Sequence, residues 1–426
     1  MNGLNNSDNL AHEAIARCLT LSRYSEDGGG IRRTFLSPPM RDCHREIAGW
    51  LAPLGMTPTV DAVGNLRAIY PGENCDSPRL LIGSHLDTVP SAGAYDGILG
   101  VVIAIEIISA LEGRRLSFAI EVIGFSEEEG VRFGTPFIGS RALIGTVDER
   151  LLTVKDGQGI SIAHAIKDFG LNPSEIPQAA IQRDVLGYLE FHIEQGPVLA
   201  NMGQSLAVVE AIAGQSRLKF TFKGRANHVG TTPMDLRQDA LAGAAQWISA
   251  VENFAQQTPG LVATVGAIRV KPGAGNVIPG EAELSLDVRH PHDTARSTAV
   301  GYLIHEAEQI AKSRGLTVRT ILLLDQPAVS MDPFLVGQVA KAIRTSGCEP
   351  FSMVSGAGHD AMIMAAKIPS AMIFLRTPLG ISHDPEESVE VSDVAIAIQC
   401  GVHLLDQLAS SADFLSLASS SRTHRA

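Results

Sequence analysis

Arg79-Leu80-Leu81-Ile82-Gly83-Ser84-His85-Leu86-Asp87-Thr88-Val89 is the stretch from which the rest of the chain can be read. A short apolar run has the composition of a buried strand, ends in Gly-Ser, and delivers an imidazole with a carboxylate two residues further on. Residues i and i+2 of an extended chain share a face. Asp87 can therefore lie beside His85 and hold its tautomer, as carboxylates beside metal-bound histidines do.

The same unit, an apolar segment ending on a ligand-capable side chain, recurs downstream. Ala94-Tyr95-Asp96-Gly97-Ile98-Leu99-Gly100 opens a small-residue, aliphatic helix that runs through Ile108. Asp96 stands at or near its N-cap, where Asp is a preferred capping residue, so a cap and a ligand are both open readings. The strand Ser117–Phe125 runs straight into Ser126-Glu127-Glu128-Glu129-Gly130. Consecutive carboxylates after a buried strand raise one another's pKa and destabilise the fold unless a cation or other partner compensates; a solvated acidic turn is the competing reading. His192 sits in the alternating run Tyr188-Leu189-Glu190-Phe191-His192-Ile193-Glu194-Gln195-Gly196-Pro197, and His383 in Leu379-Gly380-Ile381-Ser382-His383-Asp384-Pro385. A lone histidine is more often structural than a ligand. Several His, Asp and Glu sites at segment ends together point to a two-metal hydrolase centre.

In order, Gly-Ser-His-Leu-Asp-Thr-Val, Tyr-Asp-Gly, Ser-Glu-Glu-Glu-Gly-Val-Arg-Phe, Phe-His-Ile-Glu-Gln-Gly, Asn227-His228-Val229-Gly230-Thr231-Thr232-Pro233-Met234, Gly275-Asn276-Val277-Ile278-Pro279, Asp287-Val288-Arg289, Ser355-Gly356-Ala357-Gly358-His359-Asp360-Ala361 and Gly-Ile-Ser-His follow one another. Together, from about residue 30 to 408, they resemble the M20 metallopeptidase-like amidohydrolases. The resemblance is to the hydantoinase/carbamoylase branch, which holds allantoate amidohydrolase and N-carbamoyl-L-amino-acid hydrolase. It implies that one metal is held by His85 and His192, the other by Glu129 and His383, with Asp96 bridging. The family pattern of two Glu followed by Gly aligns on Gly130, which makes Glu128 the general base and leaves Glu127 as an extra acid.

Two cations about 3.5–4 Å apart lower the pKa of water from about 15.7 towards 7 and polarise a substrate carbonyl. Glu128 could then accept the water proton and pass it to the departing nitrogen, with no Ser or Cys nucleophile needed. The donor set suits Zn²⁺, Mn²⁺, Co²⁺ or Ni²⁺, and the resemblance points to Mn²⁺ or Zn²⁺. It further implies that His228 reaches the active site of a partner subunit and stabilises the oxyanion there; from the residues alone, a turn-stabilising histidine is the equal alternative. Arg289, a rigid fork for a carboxylate, and Asn276, which donates and accepts, are the substrate anchors. An exposed strand-end charge is the other reading of Arg289. Gln195 and Gly358 fall at substrate-pocket positions of similar proteins, and His359 and Asp360 at positions that support the metal ligands.

At 426 residues the chain exceeds the ~250–300 at which single cores split. The expected fold class is α/β: a mixed-sheet, zinc-peptidase-like catalytic domain with helices on both faces, formed by 1–211 and 328–410. An inserted α+β dimerisation or lid domain with a four-stranded sheet occupies 212–327, and 411–426 is expected to be a disordered tail. Within the insert the reading places a strand, the His228 turn, a helix from Arg237 to about Gln256, strands at Leu261–Val270 and Glu281–Arg289, a helix at Thr294–Arg314 and a strand at Thr317–Leu324. The resemblance implies that the insert also forms the dimer interface; His228 would be useless for catalysis in a monomer, so a homodimer through this domain belongs to the mechanism.

The formal net charge of −12 argues against a nucleic-acid or anionic-membrane partner and for a small-molecule substrate. Cys18, Cys43, Cys75, Cys348 and Cys400 are odd in number, widely spaced and without a Cys-x-x-Cys pair, as expected in a reducing cytoplasm. The N-terminus has no signal-peptide pattern, and no segment reaches the roughly 18 apolar residues of a membrane span.

The function expected is hydrolysis of the carbamoyl (ureido) C–N bond of a small carboxylate, releasing ammonia and carbon dioxide. Allantoate leads; N-carbamoyl-L-amino acids or β-ureidopropionate follow. Val229 replaces the Ala common in the allantoate branch, a departure that bears on substrate and not on reaction. A peptidase or aminoacylase of the wider family and a non-catalytic binding homologue are the other readings.

Overall fold

Parallel pairing at the centre of a mixed sheet decides where the candidate site lies. In the computed structural model, which describes residues 2–181 and 184–416, the strands Ala119–Phe125, Arg79–His85, Val185–Ile193 and Ser370–Leu375 are neighbours in that order and mutually parallel. Leu66–Tyr70 and Leu206–Ile212 flank them antiparallel. Parallel strands are covered on both faces, which is why their sequences are near-continuous apolar runs. Every residue from Ala119 to Phe125 and from Leu186 to Ile193 is buried. Successive side chains point to opposite sides, so helices cover both.

The helix Ile98–Ala110 is buried from Ile98 to Ile108, as a helix apolar all round must be. It packs against Arg79–His85 and Val185–Ile193, and with Asn2–Leu21 and Val391–Ala409. A Cβ at Gly100 would stand 2.0 Å from the Phe191 carbonyl oxygen, so only glycine permits this approach of helix to strand.

The chain divides into two compact units: Met1–Glu210 with Met331–Met353 and His359–Ala426, and Ala211–Ser330 with Val354–Gly358. The second unit thus takes in Val354–Gly358, which the sequence division assigned to the catalytic part. The cause is local: Ala213 N–H donates to Ser355 O at 2.9 Å and Arg289 Nη1 to Gly356 O at 2.5 Å.

In the smaller unit Gly214–Lys223 lies between Glu281–His290 and Thr317–Gln326, all antiparallel. The expected single strand Leu261–Val270 is instead two, Val262–Thr264 and Ile268–Lys271, both on Glu281–His290. The interruption around Gly266 makes the sheet five-stranded rather than four-stranded, with the extra strand sharing the Glu281–His290 edge. Burial alternates strictly along Glu281–His290. The inward face packs on the helices Ala240–Gln257 and Asp293–Ser313, with Trp247 4.1 Å from the Phe220 ring and donating Nε1–H to Leu303 O at 2.9 Å.

The expected disorder of 411–426 is corrected for its first part. Residues 412–416 are helical, and Phe414 is fully buried, edge-on to Phe118 at 5.9 Å and stacked on Phe334 at 6.2 Å. One aromatic ring in the Ser-rich segment is enough to anchor it. Residues 417–426 lie outside the described residues.

Two tests follow from the packing. Gly100→Ala places a methyl into the Phe191 carbonyl and should cost about 1–3 kcal/mol, as overpacking does, in chemical denaturation. His44 is buried, edge-on to Phe169 at 6.0 Å, and its Nε2 has no hydrogen-bond partner among the described residues. Burial, with Arg33 and Arg41, pushes its pKa from 6.5 down to about 4. The unfolded chain therefore takes up this proton before the native one, and stability falls as pH drops from 6.5 through 4. At about 1.4 kcal/mol per unit, His44→Leu should remove up to ~3 kcal/mol of that slope, read as the pH dependence of the unfolding midpoint against wild type.

Candidate active site

The parallel strands end side by side, and their last residues form one cluster. His85 pairs with Phe125, two residues before Glu127, and His192 pairs with Phe374. The crevice at the carboxyl ends of such strands is where open α/β sheets bind ligands. Asp96 enters from the loop before Ile98–Ala110, and His383 from the loop after Ser370–Leu375.

Asp96 is not a helix cap. The N-cap is Gly97, without a side-chain cap bond, and Asp96 is turned into the crevice. A Cβ on Gly97, whose φ is +69°, would stand 2.4 Å from the His85 ring, so a glycine is required for Asp96 and His85 to lie together. Nor is the Glu triplet a solvated turn: Glu127 is fully buried and Glu128 is 8% exposed.

Hydrogen bonding fixes which imidazole nitrogens are free. His85 Nδ1 faces the Asp87 carbonyl oxygen at 3.0 Å and His192 Nδ1 the Ile193 carbonyl oxygen at 2.8 Å. A carbonyl only accepts, so both Nδ1 atoms carry hydrogen. The two Nε2 atoms then face each other at 3.4 Å, with Asp96 Oδ1 3.3 Å from His192 Nε2 and 3.9 Å from His85 Nε2. Asp96 Oδ2 is buried, with His383 Nε2 3.1 Å away and Glu129 Oε1 3.7 Å from that same nitrogen. Ligand atoms of His85, Asp96 and His192, of Asp96, Glu129 and His383, and of His85, Glu128 and Glu129 lie within 4.8 Å of one another.

The electrostatics repeat the point. Burial drives Glu128 well above the usual carboxylate range, with Glu129, Asp360 and Asp87 adding and His85 opposing. Burial pushes Glu129 up to about 7, and Glu127 is raised by burial and Asp87. His192 is lowered to about 4 by burial. Burial also acts to lower His85, yet Asp87, Glu128 and Asp96 hold it well above its usual value. A proton on His85 attracts Asp87, Asp96 and Glu128 but leaves the acids crowded on one another. Divalent cations relieve all of these contacts at once, and imidazole with carboxylate is a donor set that fits them.

Asp87 does more than sit beside His85. Its carboxylate lies 3.5 Å from His85 Nδ1 and accepts the backbone N–H groups of Glu128 at 2.9 Å and Glu129 at 3.1 Å. Gln195, with φ of +59°, donates from Nε2 to Asp96 Oδ1 at 3.1 Å and lies 3.3 Å from His383 Nε2. His359 packs its ring on that of His192 at 4.5 Å, and Asp360 is fully buried.

Two buried acids here were not singled out from the sequence. Glu387 accepts the N–H groups of Tyr95 at 2.9 Å and Asp96 at 3.1 Å on one oxygen and the Ser382 hydroxyl at 3.1 Å on the other, so it ties the Asp96 loop to the His383 loop. Only the proximity of Glu387 to His383 in the sequence hinted at it. Glu190 accepts from Ser84 Oγ at 3.1 Å and Ala361 N at 2.8 Å; its place two residues before His192, on the same strand face, was the available signal.

The smaller unit carries the remaining candidates. Asn227–His228 pairs with Val277–Ile278, which sets His228 beside the Asn276 turn. His228 Nδ1 accepts the Gly230 N–H at 3.1 Å. The contact stabilises the turn and, in the neutral ring, leaves Nε2–H as an exposed donor. Arg289 is bound to Asp287 and to Gly356, so it is not a loose strand-end charge; Gly358 closes the same loop and is exposed.

The model of peptidase family M20/M25/M40 matches residues 81–407. The chain is 38% identical over 387 residues to the N-carbamoyl-L-amino acid amidohydrolase of Geobacillus stearothermophilus, covering 90% of this chain and 95% of that one. It is 38% identical over 435 residues to the allantoate deiminase of Arabidopsis thaliana, covering 94% and 82%. A solved structure of an amidase of the hydantoinase/carbamoylase family from Burkholderia multivorans superposes with a TM-score of 0.88 at 30% identity, over 93% of this chain and 97% of that one. The chain belongs to peptidase family M20/M25/M40, as an amidohydrolase of its hydantoinase/carbamoylase branch.

Proposed function

We propose that this enzyme hydrolyses the carbamoyl (ureido) C–N bond of a small carboxylate, releasing ammonia and carbon dioxide, with allantoate as the first substrate and N-carbamoyl-L-amino acids as the second. The observation that carries the reading is the convergence of the His85 and His192 Nε2 atoms on Asp96, beside a glutamate pair whose backbone Asp87 holds. Relatives of both substrate types at equal identity support the reaction and leave both substrates in the reading.

His85 and His192 would hold one divalent ion and Glu129 and His383 a second, with Asp96 shared between them. When bound, such ions, Zn²⁺ or Mn²⁺ with Co²⁺ or Ni²⁺ also suited, polarise the substrate carbonyl and acidify water. Glu128 takes the proton from the attacking water and delivers it to the leaving nitrogen. Its raised pKa suits a group that must both accept and return a proton near neutrality. Asp87 aims Glu128 and Glu129, and Gln195 steadies Asp96 and His383. His228 Nε2–H is assigned to the oxyanion, Arg289 and Asn276 to the substrate carboxylate and its neighbouring polar groups, and Gly358 to the loop beside them.

A homodimer through the smaller unit, with His228 serving the partner's site, completes the reading. Support comes from Leu322 and Leu323, 56% and 61% exposed, on Thr317–Gln326, a strand that among the described residues pairs only with Gly214–Lys223. A reducing cytoplasm is the proposed setting, in keeping with five unpaired cysteines; among the described residues no helix is long and apolar enough to cross a membrane.

The test is release of ammonia from allantoate, N-carbamoyl-L-amino acids and β-ureidopropionate, and of free amino acid from dipeptides, by protein stripped and reloaded with Mn²⁺ or Zn²⁺. Ureido turnover is expected; cleavage of dipeptides alone would overturn the reading. Glu128→Gln should lower kcat by about 10²–10⁴-fold while metal content stays at two equivalents by elemental analysis. His228→Ala should lower kcat by about 10²–10³-fold, the usual effect of losing an oxyanion donor, again with metal retained.

A further inference from the structure

Arg289 does not hold its position alone. In the register of the smaller sheet Asp287 stands opposite Arg217 and Arg289 opposite Gln215, so these four side chains share one face. The intervening Ser216, Leu218, Leu286 and Val288 are buried on the other. The Asp287 carboxylate takes Arg289 side-on, Oδ1 from Nε at 2.9 Å and Oδ2 from Nη2 at 3.2 Å. Oδ2 also accepts Gln215 Nε2 at 2.5 Å and Arg217 Nε at 3.1 Å.

The donors of Arg289 can be counted. A guanidinium carries five N–H groups. Asp287 takes two of them and the Gly356 carbonyl, at 2.5 Å from Nη1, a third. Among the described residues one N–H is left on each terminal nitrogen, and two N–H groups of one guanidinium are what a carboxylate takes in a bidentate grip. The side chain is 30% exposed and Asp287 28%, so the pair is partly open to a ligand. Burial acts to raise the Asp287 pKa, but Arg289, Gln215 and Arg217 hold it below its usual value, and Asp287 stays ionised.

We propose that Asp287, braced by Gln215 and Arg217, is the positioning residue that presents Arg289 to the substrate carboxylate, with the Gly356 carbonyl as the second fixed point. The proposal rests on the reading of Arg289 as the carboxylate anchor. An asparagine at 287 would keep the shape but turn an N–H₂ towards the guanidinium, freeing Arg289 to swing among rotamers that do not match the substrate.

An ion pair that merely stitches two strands would have the same contacts, and a double-mutant cycle separates the two. Steady-state kinetics are measured for wild type, Asp287→Asn, Arg289→Ala and the double variant, on the faster of allantoate and N-carbamoyl-L-alanine, with thermal melts as a folding control. Asp287→Asn should raise KM about tenfold with kcat within about threefold, the pattern of lost uniform binding, and should add nothing in the Arg289→Ala background. Gln215→Ala should move KM in the same direction by less. An unchanged KM in Asp287→Asn, or an equal rise in the Arg289→Ala background, overturns the proposal. Should Arg289→Ala itself leave KM unchanged, the anchor reading fails and the proposal with it, while the ureido assay still stands or falls separately.

Discussion

Mutual repulsion among Asp87, Asp96, Glu127, Glu128 and Glu129 is the constraint on which the larger unit depends. These acids meet three imidazoles at the end of a sheet whose strands are otherwise apolar, and all but Glu129 are nearly inaccessible. Buried like charges oppose folding unless compensated. Protons or divalent cations are the two means of compensation, and the Nε2 atoms that His85 and His192 turn towards each other beside Asp96 are a donor set that fits cations. Stability and chemistry are therefore coupled at one place, since the arrangement that opposes folding is the one that suits metal ions.

Backbone groups do much of the aiming. Carbonyls of Asp87 and Ile193 set the imidazole tautomers, and the Asp87 carboxylate fixes two successive glutamates by their N–H groups. Glu387 does the same for the loop that carries Asp96. Main-chain partners cannot swing away as side chains can, and preorganisation of this sort is what a catalytic centre needs. Gln195 and His383 accept left-handed φ values of 59° and 57°, a local strain that persists because the surroundings over-determine their positions.

The smaller unit solves a different problem on a simpler scaffold. Its sheet buries one face against two helices, and on the other alternation along each strand can line up Gln215, Arg217, Asp287 and Arg289 without any loop. A carboxylate shared by two guanidinium groups keeps both charges defined and leaves part of each fork open to a ligand. Rigid strands hold such a set more closely than loops would.

The sequence by itself determined the element types and the chemical cast. Apolar runs that end in His85, Glu128 and His192 can be read locally because strand burial and ligand chemistry are both written in adjacent residues. The broken edge strand at Gly266 and the buried ring of Phe414 could not be read so, because a single aromatic or an interrupted pairing is decided by what lies across from it. Tertiary structure alone chose between cap and crevice for Asp96, and between solvated turn and buried acid for the Glu triplet. It alone brought in Glu190 and Glu387, whose partners Ala361 and Tyr95 are 171 and 292 residues away in the chain. Such contacts have no local signature: a carboxylate looks the same in sequence whether it faces water or the backbone of a distant loop, and only the fold supplies the neighbour that gives it a role.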